Sequence, residues 1–228
     1  MPSCDLFGKD RQNKIQQKTH LRLRGSINSD EKVDKMKMTE RDQYTPGPAG
    51  GAQIRRNDGE FWTLILVREL RHPPEKVWQA LIDPVHLREW APFDADGSLG
   101  TVGSKVKLTT VGAPAPHVTE TTVKRADAPN LLEYTWGGNE IKWELEALGA
   151  GTRLTLWTSI GRRFIAMGAA GWHICFDVLD HLLIGTPIGR AVGPEARKFS
   201  GFQRLHAEYA KLFAVDTPGL PPSEAQKS

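Results

Sequence analysis

Hydrophobic and polar residues alternate along short segments between residues 61 and 159. The alternation is clearest at 141–147, where Ile141, Trp143, Leu145 and Ala147 fall on one side and charged residues on the other. A period of two predicts a strand with one buried and one wet face. Segments with this alternation, or with the β-branched and aromatic composition of strands, occur at 61–70, 105–111, 118–125, 131–136, 141–148 and 152–159. The short turn-forming stretches between the last five predict an antiparallel meander.

Helical spacing follows the first predicted strand and returns near the end of the chain. Pro74 and Glu75 favour a helix start, and Pro84 ends that helix and begins a second short one. An apolar stripe then predicts a long helix that can lie on a sheet; its residues are Trp172, Phe176, Leu179 and Leu183. A last helix is predicted at 194–213. The chain is therefore predicted to be an α+β domain in which a curved antiparallel sheet wraps around a long C-terminal helix.

Both ends of the chain lack such patterns. Residues 1–59 are predicted to be a disordered tail and linker, residues 60–213 the folded domain, and residues 214–228 a second disordered tail. Met36 and Met38 precede the Pro- and Gly-rich linker, so translation is hypothesised to start there and not at residue 1.

The charge of the chain is concentrated in the N-terminal tail. Residues 1–40 hold nine Lys and Arg against six Asp and Glu, and from chain totals of 30 and 27 the remainder keeps 21 of each sign. The net charge of +3 therefore belongs to the tail. The predicted domain lacks the one-sided basic surface of a nucleic-acid-binding protein.

The remaining composition narrows the class of protein. No apolar run approaches the roughly 18 residues that a membrane span needs, and the N-terminus has no secretory signal pattern. Cys4 and Cys175 lie far apart in unlike surroundings, so no disulfide framework is predicted. The sequence predicts a cytoplasmic domain without a membrane span, cofactor or metal, and it leaves a homodimer open.

Three segments carry a resemblance to a known family. The first is PPEKVWQALIDPVHLREWAPFD at 73–94, the second is GAGTRLTL at 149–156, and the third is GWHICFDVL at 171–179. Together they resemble the family homologous to the C-terminal domain of the activator of Hsp90 ATPase, over about residues 60–213. The resemblance implies a helix-grip, START-like fold of the SRPBCC superfamily. It also implies a cavity between sheet and long helix, of the kind that binds lipids, hormones or polyketides.

Large apolar side chains on the predicted inward faces are the candidate ligand-binding residues. They are Trp90, Phe93, Leu108, Tyr134, Trp136, Trp143, Leu154, Trp172, Phe176 and Leu179. Aromatic side chains with a few polar atoms are typical of pockets for small apolar ligands. The same residues would also serve simply to fill the core, and the sequence leaves both interpretations open.

Polar residues on the long helix and beside it are weaker candidates. His173, Asp177 and His181 fall on one helix face, but they span roughly 12 Å. That span is too long for all three to share one metal ion, which favours a solvated face. Arg162 and Arg163 follow the last predicted strand. They are either a solvent-exposed strand end or placed to receive a carboxylate at the mouth of the cavity.

Three glutamates, one cysteine and one glycine-rich stretch complete the candidates. Glu69, Glu120 and Glu133 would act as general bases only if they were buried, and spacing singles out none of them. Cys175 lies on an apolar helix and is predicted to be inert. The stretch GSLGTVG at 97–103 lacks the following helix and the Lys-Ser/Thr pair of a phosphate loop, which favours a turn.

Three functions fit these observations. The first is binding of a hydrophobic or aromatic molecule, lipid-like or polyketide-like, between the sheet and the C-terminal helix, linked to stress or regulation. The second is a cochaperone-like role with an Hsp90-type ATPase or another protein partner. The separate N-terminal folded domain of the eukaryotic cochaperone has no predicted counterpart in residues 1–59. The third is a cyclase or hydrolase that uses a buried carboxylate or histidine. Ligand binding is the predicted function, ahead of catalysis.

Overall fold

The computed structural model describes residues 44–57, 61–112, 115, 117–198 and 200–216, so most of both predicted tails, at 1–43 and 217–228, lies outside the described residues. The strands are β1 (Ala52–Arg56), β2 (Phe61–Leu70), β3 (Phe93–Ala95), β4 (Lys105–Thr110), β5 (His117–Thr122), β6 (Arg125–Asp127), β7 (Leu131–Trp136), β8 (Asn139–Leu148) and β9 (Gly151–Gly161). The helices are α1 (Pro74–Ile82), α2 (Pro84–Trp90), α3 (Ile165–Ile184), α4 (Gly193–Lys198) and α5 (Ser200–Phe213), with a 3₁₀ turn at Arg162–Phe164.

The strands form two antiparallel sheets. The larger has six strands in the order β1-β2-β9-β8-β7-β6, and the smaller has three in the order β3-β4-β5. Alternation decides which face of the larger sheet is buried: Trp143 pairs with Leu156 and Leu145 pairs with Leu154. All four side chains are at most 2% exposed. The predicted α+β fold, with a curved antiparallel sheet against C-terminal helices and two short helices after β2, is confirmed.

Helix α3 lies at the centre of the domain. It contacts β2 and β9 of the larger sheet, the short helices α1 and α2, and the last helix α5. Because neighbours surround it, α3 buries residues on every side and not along one stripe alone. Gly185 ends the helix with a φ of 84°, a left-handed conformation that favours glycine. Within the described residues, no helix is both long and apolar enough to cross a membrane.

Ordered structure begins earlier than the sequence predicted. Strand β1 lies inside the predicted 1–59 tail and pairs antiparallel with β2, with Ala52 opposite Leu66 and Arg56 opposite Trp62. Five residues of mixed polarity carry too little pattern to predict a strand alone. Pairing with β2 supplies the backbone hydrogen bonds that stabilise them. The prediction of disorder up to residue 59 is therefore wrong for residues 52–56.

Two further boundaries depend on neighbours that the local pattern does not specify. The predicted strand at 118–125 is divided between the two sheets, with β5 in the smaller and β6 in the larger. The predicted meander is therefore interrupted between β5 and β6, and successive strands pair within each sheet, β3 to β5 in the smaller and β6 to β9 in the larger. Helix α3 begins at Ile165, before its predicted stripe. The described residues of the predicted last helix are helical on both sides of residue 199, as α4 and α5.

Candidate functional site

An open and mainly apolar cleft lies between the end of the larger sheet, helix α3 and residues 191–202. Its volume of about 530 Å³ is within the range of small-molecule sites. The lining residues are Phe61, Pro92, Trp136, Asn139, Thr158, Ser159, Ile160, Gly161, Phe164, Met167, Gly168, Gly171, Trp172, Cys175, Ala191, Val192, Gly193, Ala196, Arg197 and Phe202.

Small residues on α3 create part of this space. Gly168, Gly171 and Cys175 follow one another at i, i+3 and i+7, so they lie on one side of the helix. A Cβ placed on Gly171 would meet no neighbouring heavy atom within 4 Å. The side of α3 that faces the cleft at this position is therefore open, without a neighbouring side chain to fill it.

Large aromatic side chains surround the opening of the cleft. Phe61 is 59% exposed and Phe164 is 40% exposed, although both are strongly apolar. Deeper in the lining, the rings of Trp136 and Trp172 meet edge to face with 6.0 Å between their centroids. Exposed apolar side chains grouped around a concave surface are typical of a binding site.

The described lining offers little acid–base chemistry. It includes no aspartate, glutamate or histidine, and its polar side chains are those of Asn139, Thr158, Ser159, Cys175 and Arg197. Burial raises the pKa of the Cys175 thiol to about 12, so this thiol is neutral near pH 7 and a weak nucleophile. Nowhere in the described residues do three or more His, Cys, Asp or Glu side chains form a group that could hold a metal ion.

The ten ligand-binding residues predicted from the sequence divide into two groups. Trp136 and Trp172 line the cleft. The other eight are at most 1% exposed and do not line it; they are Trp90, Phe93, Leu108, Tyr134, Trp143, Leu154, Phe176 and Leu179. The sequence thus located the apolar interior, whereas the open volume lies beside it. A direct role of these eight side chains in binding stays a prediction.

The aromatic members of the buried group pack against one another and against the cleft tryptophans. Ring centroids lie 5.3–5.9 Å apart in the pairs Phe93–Trp136, Trp143–Trp172 and Trp90–Trp143, a favourable range for aromatic contacts. The indole N–H of Trp143 donates to the Tyr134 hydroxyl at 3.1 Å, and burial raises the pKa of Tyr134 well above its usual value. This cluster is a filled core that holds Trp136 and Trp172 in place.

Most of the cleft was missed by reasoning from the sequence. One usable signal was the stretch MGAAG at 167–171, since glycine inside a helix costs about 0.5–1 kcal/mol relative to alanine. Two glycines in one long helix therefore indicate a packing or functional reason. The wall formed by Val192, Ala196 and Phe202 had no such signal, because its place depends on the path of the chain after Gly185.

A basic groove adjoins the cleft at the same end of the larger sheet. Its volume is about 570 Å³, and its lining residues are Arg56, Phe61, Trp62, Gly161, Arg162, Arg163 and Phe164. Strand pairing brings them together, because Arg56 lies opposite Trp62 and Phe61 lies opposite Gly161. The side chains of Arg162 and Arg163 are exposed, as one interpretation of the sequence expected. They also line a groove that shares Phe61 with the cleft.

The His173 face of α3 is buried, and the expectation of a solvated face is wrong there. His173 is 4% exposed, and its Nδ1 lies 2.8 Å from the Tyr209 hydroxyl on α5. The Asp177 carboxylate lies 3.6 Å from the Nε2 of His173 and 2.9 Å from the Arg68 guanidinium on β2. His181 instead lies 3.4 Å from the Thr186 hydroxyl. Helix α5 and strand β2 cover this face, which spacing within α3 cannot show.

The ionisation of this buried group follows from its surroundings. Burial lowers the pKa of His173, with the Asp177 carboxylate opposing this effect and the Arg68 guanidinium adding to it. Its imidazole is therefore neutral near pH 7. Burial also raises the pKa of the Tyr209 hydroxyl. Neither residue lines the cleft, so the network joins secondary-structure elements and does not contribute to the cleft lining.

The three glutamates considered as general bases lie outside the cleft as well. The side chains of Glu69 and Glu120 are 65% and 56% exposed, and that of Glu133 is 27% exposed. Each faces a basic side chain across 3.4–3.9 Å; the partners are Arg153, Lys105 and Arg125. None of the three meets the condition of burial that a general base here would need.

Comparisons with known proteins agree with this architecture. Residues 71–183 match the family model described as "Activator of Hsp90 ATPase homolog 1-like protein". A conserved protein of unknown function, EF2215 from Enterococcus faecalis, is similar in structure with a TM-score of 0.53 and 19% identity, covering 71% of this chain and 89% of that one. A comparison with the curated proteins found no match.

CalU16 from Micromonospora echinospora is also similar, at 20% identity. Its crystal structure has a TM-score of 0.52 and covers 74% of this chain and 98% of its own. Its solution NMR structure has a TM-score of 0.54 and covers 75% and 96%. At these identities the likeness shows the fold alone, which is START-like. On the family match, residues 71–183 of this chain belong to the Activator of Hsp90 ATPase homolog 1-like protein family.

Proposed function

We propose that this protein binds a hydrophobic small molecule, with an aromatic or extended apolar body, in the cleft between the larger sheet, α3 and residues 191–202. The observation that carries this proposal is an open apolar volume of about 530 Å³ beside a core that is already filled. Apolar surface that faces open space lacks the packing contacts of a filled interior. A ligand of matching shape would supply those contacts.

The composition of the cleft supports a binding role over a catalytic one. Aromatic side chains with a few polar groups are the usual lining of small-molecule sites, and here Trp136, Trp172 and Phe202 are joined by Asn139 and Ser159. The cyclase or hydrolase alternative needs a carboxylate or histidine in the cleft. Its described lining contains neither.

Binding of N-phenyl-1-naphthylamine, a neutral aromatic probe that fluoresces in apolar surroundings, tests the proposal. We expect saturable binding to the full chain and loss of binding in Gly171→Phe, because the new ring would occupy the open space beside α3. Gly171→Ala is the matched control, since it adds only a methyl group and should keep most of the affinity.

The same variants also provide the result that would exclude the cleft as the binding site of the probe. Equal probe binding by the wild type and by folded Gly171→Phe would place the probe elsewhere, and no binding by the wild type would remove the proposal. Thermal unfolding of both variants establishes that each is folded before the comparison is made.

A second candidate function is favoured by the family match. Residues 71–183 match a family described by activation of the Hsp90 ATPase, which supports a cochaperone-like interaction with an Hsp90-type partner. The ATPase rate of a purified chaperone of that type, measured with and without this protein, tests it. An unchanged rate together with no co-elution on a sizing column would remove this candidate.

The cellular location, biological role and oligomeric state of the protein are part of the same proposal. We propose that the protein is located in the cytoplasm, acts in regulation or a stress response, and forms a homodimer. Light scattering of the full chain tests the homodimer, because a dimer doubles the mass from the 25.3 kDa of one chain.

A further inference from the structure

We infer that the ligand of the cleft is an amphipathic anion, whose acidic head is held by Arg56, Arg162 and Arg163 while its apolar body enters the cleft. The inference rests on the proposed function and adds the chemical class of the head group. It is carried by the basic groove, the charge of its lining and its continuity with the cleft.

The groove and the cleft form one continuous depression. Phe61, Gly161 and Phe164 line both. The guanidinium of Arg163 lies 4.5 Å from the centre of the Phe164 ring, which places positive charge directly beside a residue of the cleft. A molecule of suitable length can therefore contact the arginines and the aromatic lining together.

The positive charge of the groove is not balanced by its own described lining. That lining has three arginines and no aspartate or glutamate. In the described part of the chain, Arg56, Arg162 and Arg163 form no ion pair with a carboxylate. Other described arginines do form such pairs: Arg68, Arg125, Arg153, Arg190 and Arg204. Uncompensated charge of one sign in a concave surface raises the local concentration of oppositely charged ligands.

The chemistry of guanidinium selects the head group. Its planar donors match the two oxygens of a carboxylate, sulfonate or phosphate. A neutral apolar ligand would not form these paired hydrogen bonds with the arginines. An anion with charges spread along its length would have to bury some of them against Trp136 and Trp172, at a large desolvation cost. A single acidic head on an apolar body satisfies both halves of the depression.

A matched pair of fluorescent probes tests the inference on the full chain. 8-Anilinonaphthalene-1-sulfonate and N-phenyl-1-naphthylamine share the same aromatic body, and only the first carries an anionic head. We expect the sulfonate to bind about tenfold more tightly at low salt, because the arginines can form charge-assisted hydrogen bonds with its head that the neutral probe lacks. Its advantage should shrink as salt rises.

Substitutions then measure separately how much the anionic head and the apolar body contribute to binding. The Arg162→Gln/Arg163→Gln double variant should lose about tenfold in sulfonate affinity and keep binding of the neutral probe. Arg153→Gln is the matched control, because it removes one positive charge near the opposite end of β9, and both affinities should be unchanged. Gly171→Phe should lose both probes.

Four outcomes would overturn the inference. Equal affinities for the two probes, with no effect of the double variant, would leave the proposed function standing and remove the anionic head. Sulfonate binding that survives Gly171→Phe would show that the arginines act without the cleft, and failure of both probes would remove the proposed function itself. Co-sedimentation with phosphatidylglycerol vesicles that depends on Arg162 and Arg163, without sulfonate binding, would assign these arginines to a membrane surface instead.

Discussion

The Nδ1 of His173 lies 2.8 Å from the hydroxyl of Tyr209, which joins helix α3 to helix α5. The same hydroxyl donates to the Gly50 carbonyl at 3.1 Å, so the segment before β1 is held at this point too. Helix α5 also carries Phe202, which lines the cleft. The hydrogen bonds of Tyr209 therefore help to position one wall of the cleft from a distance.

Removing the Tyr209 hydroxyl should destabilise the fold. In Tyr209→Phe, His173 and the Gly50 carbonyl both lose a buried partner, and an orphaned buried polar group costs about 1–3 kcal/mol. The free energy of unfolding, measured by urea denaturation, should fall by about that amount. Lys211→Ala, an exposed change on the same helix, should stay within about 0.5 kcal/mol. An unchanged midpoint in Tyr209→Phe would contradict the role of this hydrogen bond.

The stability of the fold should decline as the pH falls below about 6.5. Burial lowers the pKa of His173 from 6.5 in the folded state, where it also faces Asp177, Arg68, Arg204 and Glu208. Between 6.5 and the lower folded value, the unfolded chain binds a proton that the folded chain does not. Folding is therefore less favourable there than at pH 7.5.

Replacing the histidine isolates this contribution. His173→Gln cannot titrate, so the loss of unfolding free energy between pH 7.5 and 5.5 should be smaller in this variant than in the wild type. His206, whose pKa is also lowered by burial, contributes with the same sign and remains in both proteins. Glu208 has a pKa lowered chiefly by the Ala49 N–H, from 4.5, so its effect falls in a lower pH window. Equal losses in both proteins would exclude His173 as the source.

Two glycine-to-alanine changes in helices should have opposite effects on stability. A Cβ on Gly201 would overlap the ring of Pro46, and such overpacking costs about 1–3 kcal/mol. A Cβ on Gly171 meets open space, so Gly171→Ala should stabilise by about 0.5–1 kcal/mol through helix propensity. Urea denaturation of the pair measures both values. Stabilisation by Gly201→Ala would show that the segment before β1 can move away freely.

The Cys175 thiol should react slowly in the native protein. Its pKa rises from 9.0 to about 12 through burial, so the reactive thiolate is about a thousandfold rarer than in an exposed cysteine. The measurement is modification by dithionitrobenzoate at pH 8 in a Cys4→Ser background, with the unfolded chain as control. Rapid modification of the native protein would mean that the cleft admits the reagent directly to a thiolate.

The pattern of apolar residues was sufficient to predict much of the fold. Ile141, Trp143 and Leu145 were predicted to share a buried face, and all three are at most 2% exposed. The strand predicted at 131–136 has the same bounds in the structure. Alternation succeeds here because the direction of each side chain along a strand is a local property of the backbone. Strand β1 was missed, since its stability comes from its partner β2.

The candidate site was predictable only in part, for a related reason. Trp136 and Trp172 were found because large aromatic residues on inward faces stand out in a sequence. Phe202 lies in the predicted last helix, but its place in the lining of the cleft depends on how the chain turns after Gly185 and how α5 packs on α3. No spacing rule reports that residues thirty positions apart line the same cleft.

By itself, the sequence determined the α+β class, the inward faces of the strands and the apolar character of α3, because these follow from side-chain periodicity along one element. Tertiary structure alone decided that the aromatic core is filled, that open space lies beside Gly171, and that the arginines at 162 and 163 meet Arg56 at the edge of that space. Volume and charge arrangement depend on the packing of several elements at once. The position of the cleft is therefore a property of the assembled domain.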